Sequence, residues 1–137
     1  MNKEFVPYEL ALKLKQLGFD EPCFGYYNEL GNFTLEIDKV NSSCNKLGMH
    51  GKYCTAPLKQ QCLRWFRDKY NLNGILNHYP NTKLWDFSVH NLEWNGKEFI
   101  EHVRKEDRSV KYSTYEEAED ACILKLISIV KEQNNEK

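Results

Sequence analysis

The sequence predicts an α+β fold with the element order α-ββ-α-βββ-α, one mostly antiparallel sheet with helices packed on it. Three stretches predict it. Residues 55–71 read as a helix whose broad apolar arc carries three aromatics, Trp65, Phe66 and Tyr70. Residues 84–94 alternate apolar and polar with the two-residue period of a strand and end on Asn95-Gly96, the strongest two-residue hairpin signal in the chain. The third stretch begins at Thr114, where a capping box opens a segment with an apolar stripe at helical spacing. With 137 residues, 41% hydrophobic and 13% aromatic, the chain can bury one core, so a single domain over 1–131 is expected, followed by a polar tail over 132–137.

Taken in order, residues 5–17 form the first expected helix. Val6, Leu10, Ala11, Leu14 and Leu17 recur at helical spacing, and Pro7 sits in the first turn. Gly18 then Phe19 marks the stop: a left-handed residue followed by an apolar one that folds back. Residues 23–27 and 33–37 read as two strands joined by Asn28-Glu29-Leu30-Gly31-Asn32, a segment with hairpin chemistry. Phe33, Leu35 and Ile37 alternate with Thr34 and Glu36, which predicts one buried face and one wet one. Residues 38–54 form the one long irregular piece, a length typical of functional or mobile loops.

The central helix follows, opened by the hydroxyl of Thr55 and by Pro57 in its first turn. At about 100° per residue, Leu58, Cys62, Leu63, Trp65, Phe66 and Tyr70 share the buried arc, while Gln60, Gln61, Arg64, Arg67 and Asp68 face out. Residues 71–74 turn the chain into a meander of strands over 75–79, 84–94 and 98–104. In the long strand Trp85, Phe87 and Val89 alternate with Asp86, Ser88 and His90. A charged loop over 105–108 leads to the last helix, where Thr114 with Glu117 makes the capping box and Glu116, Glu119 and Asp120 add negative charge at the positive helix end. Ala118, Cys122, Leu126, Ile129 and Val130 form its buried face.

A net charge of −1 and a pI near 6.4 exclude a global field that would draw the chain to nucleic acid or an anionic membrane. No apolar run approaches ~18 residues, and residues 1–5 lack a signal-peptide core, so a cytoplasmic location is expected. Five scattered cysteines, an odd number, fit reduced thiols better than a disulfide framework.

Each candidate site has a plainer structural reading beside it. Cys44, His50 and Cys54, with Cys62 or Cys23, have the right ligand chemistry for zinc, yet no paired C-x₂₋₄-C knuckle is present and no metal is expected. Cys62 and Cys122 lie among apolar neighbours and read as small hydrophobes. His78, Asp86, His90 and His102 could converge on a metal-dependent nuclease site, but no H-E-x-x-H or D-x-D pattern supports it; solvent-side strand histidines are the commoner case. Arg64 and Arg67, with Lys59 nearby, could grip phosphate, and Tyr26, Tyr27 and Trp94 could stack on bases. No cofactor is implied.

The blocks Glu4-Phe-Val-Pro-Tyr-Glu-Leu-Ala11, Gly18-Phe-Asp-Glu-Pro-Cys-Phe-Gly25, Ala56-Pro-Leu with Gln61 and Arg64-Trp-Phe-Arg67, and Tyr115-Glu-Glu-Ala-Glu119 with Ala121-Cys122 together resemble a family of short uncharacterised proteins from Bacteroidetes phages, prophages and gut metagenomes. The resemblance runs over most of the chain and is weakest in the loop over 38–54 and in the meander. It implies a phage or mobile-element accessory protein and no particular reaction. By analogy with other such proteins, it points to inhibition of a host defence system such as CRISPR.

The expected function is therefore non-enzymatic binding of a host or phage protein. The alternative is a small RNA- or DNA-binding protein using the basic face of the central helix. Met49, His50 and Tyr53 with Arg64 and Arg67 are expected to form the partner-binding patch, if the loop folds back along the helix it precedes. The helix phase itself is testable: Trp65→Ala, mid-arc between Leu58 and Phe66, should destabilise by about 3–5 kcal/mol. An unchanged denaturant midpoint would place Trp65 on the surface.

Overall fold

The computed structural model describes residues 2–35, 53–103 and 110–135. After a short 3₁₀ turn at Asn2–Glu4 come α1 (Tyr8–Gln16), β1 (Gly25–Tyr27), β2 (Phe33–Leu35), β3 (Cys54–Ala56), α2 (Lys59–Tyr70), β4 (Leu72–Tyr79), β5 (Leu84–Trp94), β6 (Phe99–Val103) and α3 (Tyr115–Asn135). The class is α+β, and the order matches expectation apart from β3. The strands form two antiparallel sheets where one was expected, β2-β1-β3 and β4-β5-β6. The chain falls into two compact units, Met1–Cys62 and Leu63–Lys137, so the boundary lies inside α2. Residues 38–52 of the expected loop over 38–54, residues 36 and 37 of the expected second strand and the expected charged loop over 105–108 lie outside the described residues.

In the first unit α1 ends as its sequence dictates. Gly18 adopts φ +96, and the Phe19 amide folds back to the Leu14 carbonyl at 3.0 Å. β3 is the departure from expectation. Thr55 lies in a strand, with Tyr26 as its register partner, and the helix starts only at Lys59. The residue before a proline is pushed away from helical geometry, so Ala56 before Pro57 is extended and joins the sheet. Ala11, Leu14, Phe5 and Val6 are buried in this unit, and the Tyr27 hydroxyl donates to the Val6 carbonyl at 2.7 Å. The Phe33 ring lies tilted against that of Phe5, centroids 4.7 Å apart, whereas Leu35, expected on the buried face, is 40% exposed. It lies on β2, at the edge of the three-stranded sheet.

In the second unit β5 is central and pairs with β4 through Leu72↔Asn91 to Tyr79↔Leu84. The expected buried arc of α2 holds at its centre, where Leu63, Trp65 and Phe66 are buried and Arg64, Arg67 and Asp68 are exposed; Tyr70 is half-buried, and Leu58 precedes the helix. Residues 71–74 do not form the expected turn. Asn71 alone turns the chain, at φ 57, and Gly74 is inside β4, opposite Val89. Gly74 is there because α3 sits close on the sheet: a Cβ at that position would stand 2.6 Å from Cys122 Sγ and 3.3 Å from Leu126 Cδ1. Asn95-Gly96 also differs from expectation. Asn95 Oδ1 accepts from the amides of Lys97 and Glu98, both at 2.9 Å, in a loop over 95–98 closed by Trp94↔Phe99. The Asn95 side chain thus acts as an Asx cap where a two-residue turn was expected. α3 opens on its capping box, Glu117 N to Thr114 Oγ1 at 3.1 Å, and runs to Asn135, past the start of the expected tail.

The alternation in β5 does not separate a buried face from a wet one. Asp86 and Ser88 are 1% and 5% exposed. Asp86 survives burial through three donors: Asn77 Nδ2 at 2.9 Å, the Tyr79 hydroxyl at 2.9 Å and Lys111 Nζ at 2.8 Å. Lys111 reaches it because Tyr112 and Trp85 exchange backbone hydrogen bonds, 2.8 and 2.9 Å, on the side of β5 opposite β4.

Two outcomes check this packing. Gly74→Ala should destabilise by about 1–3 kcal/mol, and combining it with Cys122→Ala should recover part of that loss, a coupling that a double-mutant cycle in denaturant reads directly. Additive single and double variants would show that α3 does not sit over Gly74. Lys111→Met should lower stability by about 2 kcal/mol, because a buried carboxylate loses its one cationic donor among the described residues; an unchanged midpoint would mean that the pair contributes nothing net.

Candidate functional site

The residues expected to form one patch are not all in one unit. Met49 and His50 lie outside the described residues. Tyr53 belongs to the first unit, and Arg64 and Arg67 belong to the second, on the exposed pole of α2.

Around Tyr53 the first unit builds a small surface from the turn between β1 and β2. Asn28 organises this turn. Its Oδ1 accepts from the amides of Leu30 at 2.9 Å and Asn32 at 3.0 Å, its carbonyl accepts from Gly31 N at 3.0 Å, and its own amide donates to the Asn32 carbonyl at 3.0 Å. Asn is suited to this because its short side chain mimics a backbone turn. Gly31 takes φ +83 and lies against the Tyr8 ring, where a Cβ would stand at 3.0 Å. The Tyr8 hydroxyl reaches the Glu29 carbonyl at 3.4 Å. Both backbone and side-chain bonds therefore fix a turn whose tip, Leu30, is 81% exposed.

Beside Leu30 lies a shallow cleft of about 180 Å³ lined by Asn28, Glu29, Leu30 and Tyr53. Tyr53 is half-buried; its ring stands edge-on to Tyr26 at 5.5 Å, and its carbonyl accepts from Lys15 Nζ at 2.7 Å. The site offers a protruding apolar side chain, an aromatic wall and one acidic side chain, Glu29. That set suits contact with another apolar surface. Of these lining residues the sequence singles out Tyr53 and not Leu30. The available signal was a leucine in a turn otherwise built of Asn, Glu and Gly, where no strand or helix period needs an apolar residue.

The chemistry-bearing residues of the meander are used structurally. His78 is exposed and stacks on Trp85 at 4.2 Å, and Ser88 Oγ lies 3.1 Å from His90 Nε2. The side chain of His102 lies outside the described residues. Among the described residues no group of three or more His, Cys, Asp and Glu could hold a metal ion, and Cys23, Cys54, Cys62 and Cys122 are all buried. On α2, burial pushes the Tyr70 phenol above its ordinary value of 10.0. No described helix is long and apolar enough to cross a membrane. No protein-family model, curated protein or solved structure matches the chain.

Proposed function

We propose that the chain is a non-enzymatic accessory protein of a phage or mobile element, acting in the host cytoplasm by binding a host or phage protein. Inhibition of a host defence complex such as a CRISPR effector is the role this reading favours. The observation that supports binding is Leu30. A large apolar side chain 81% exposed adds nothing to the core, yet the turn beneath it is held by backbone, Asx and Tyr8 contacts. Ordering an anchor before association removes the entropy that a flexible loop would lose on binding. The adjoining Tyr53 supplies the amphipathic aromatic surface common at interface hot spots.

The test is affinity capture from host lysate with the wild-type chain and with Leu30→Asp, read by mass spectrometry. A specific protein should be enriched by the wild type and recovered about tenfold less by the variant, while the thermal unfolding of the two chains stays alike. Equal recovery by both, or no specific protein, contradicts the reading.

A further inference from the structure

The outward pole of α2 carries a second feature that neither the fold nor the Leu30 turn uses. Arg64 and Arg67 follow one another at helical spacing along the exposed side, with Asp68 beside them, and all three are exposed. Among the described residues, the guanidinium groups of Arg64 and Arg67 make no hydrogen bond, ion pair or ring contact. Lys69, on the same helix, behaves differently: its ammonium lies 5.1 Å from the Trp65 ring centroid and 5.6 Å from that of Tyr70. Arg67 is in the last turn, where a cation complements the helix dipole. Arg64 is mid-helix and has no such role.

We propose that Arg64 and Arg67 dock a carboxylate-rich segment of a partner protein, each guanidinium taking one carboxylate. This deepens the protein-binding reading and rests on it. The planar guanidinium fork matches a carboxylate in two parallel hydrogen bonds, and it is desolvated more cheaply than an ammonium. Phosphate would satisfy the same fork, but the surroundings favour protein. Asp68 stands exposed one turn beyond Arg64, where it would repel a continuous phosphate chain. A protein segment can instead set a basic or neutral residue opposite Asp68. The chain's net charge of −1 also supplies no wider field to hold a nucleic acid.

The experiment is a titration of the full chain, followed by NMR, with a short peptide whose glutamates are separated by neutral residues and separately with a single-stranded oligothymidylate of equal charge. The peptide should shift the Arg64 and Arg67 side-chain resonances, with an affinity that falls as salt rises. Arg64→Glu/Arg67→Glu should weaken it by about tenfold or more. Tighter binding of the oligonucleotide at the same two arginines, peptide shifts centred elsewhere, or no shift with either probe would overturn the proposal. Because the lysate capture reads Leu30 and this titration reads the arginines, loss of one leaves the other interpretable.

Discussion

A buried carboxylate needs its full set of donors, and Asp86 imposes that requirement on the second unit. At 1% exposure it has almost no water, and an isolated ion there would be destabilising by several kcal/mol. The fold answers with Asn77 and Tyr79 from the neighbouring strand and Lys111 from the segment that bridges to Trp85. Lys111 also stands 4.5 Å from the Tyr79 ring centroid, so the same cation is held by a charge and by an aromatic face. The register Asn77↔Asp86 is thereby fixed from one side of the sheet. From the other side, α3 fixes it through the close approach of Cys122 and Leu126 to Gly74. A one-residue slip would remove Asp86 from its donors and Gly74 from beneath the helix together.

The first unit applies the same economy of polar groups to a different end. Asn28 satisfies two backbone amides with one side-chain oxygen, and Gly31 provides the positive φ that lets the chain turn against Tyr8. Nothing apolar is buried by doing so at Leu30. A turn so well determined, carrying an exposed leucine, is what preorganisation for a partner looks like in physical terms. The proposal of protein binding draws its support from that contrast between tight backbone and exposed side chain.

Much of the fold was legible because local rules and tertiary packing agreed. The Gly18-Phe19 stop, the apolar arc of α2, the span of β5 and the Thr114–Glu117 cap follow from spacing and capping chemistry alone. The failures have particular causes. Ala56-Pro57 restricts the backbone before the helix, and that outweighed the capping hydroxyl of Thr55. Gly74 read as a turn residue because nothing local reveals a helix overhead. The burial of Asp86 is not visible in the alternation of β5, because partners that make it tolerable come from distant residues such as Lys111. The division into two sheets is likewise invisible to strand periodicity, which specifies faces and not neighbours.

Of the candidate site, Tyr53, Arg64 and Arg67 were accessible to composition and phase, but Leu30 was not, because its meaning lies in exposure and in the rigidity of the turn beneath it. That rigidity is the central claim. Backbone ¹⁵N relaxation of the amides of Glu29, Leu30 and Gly31 tests it most directly. The account predicts order parameters of about 0.85, equal to those of the strands on either side; values below about 0.6 would show a flexible tip and contradict a preorganised anchor.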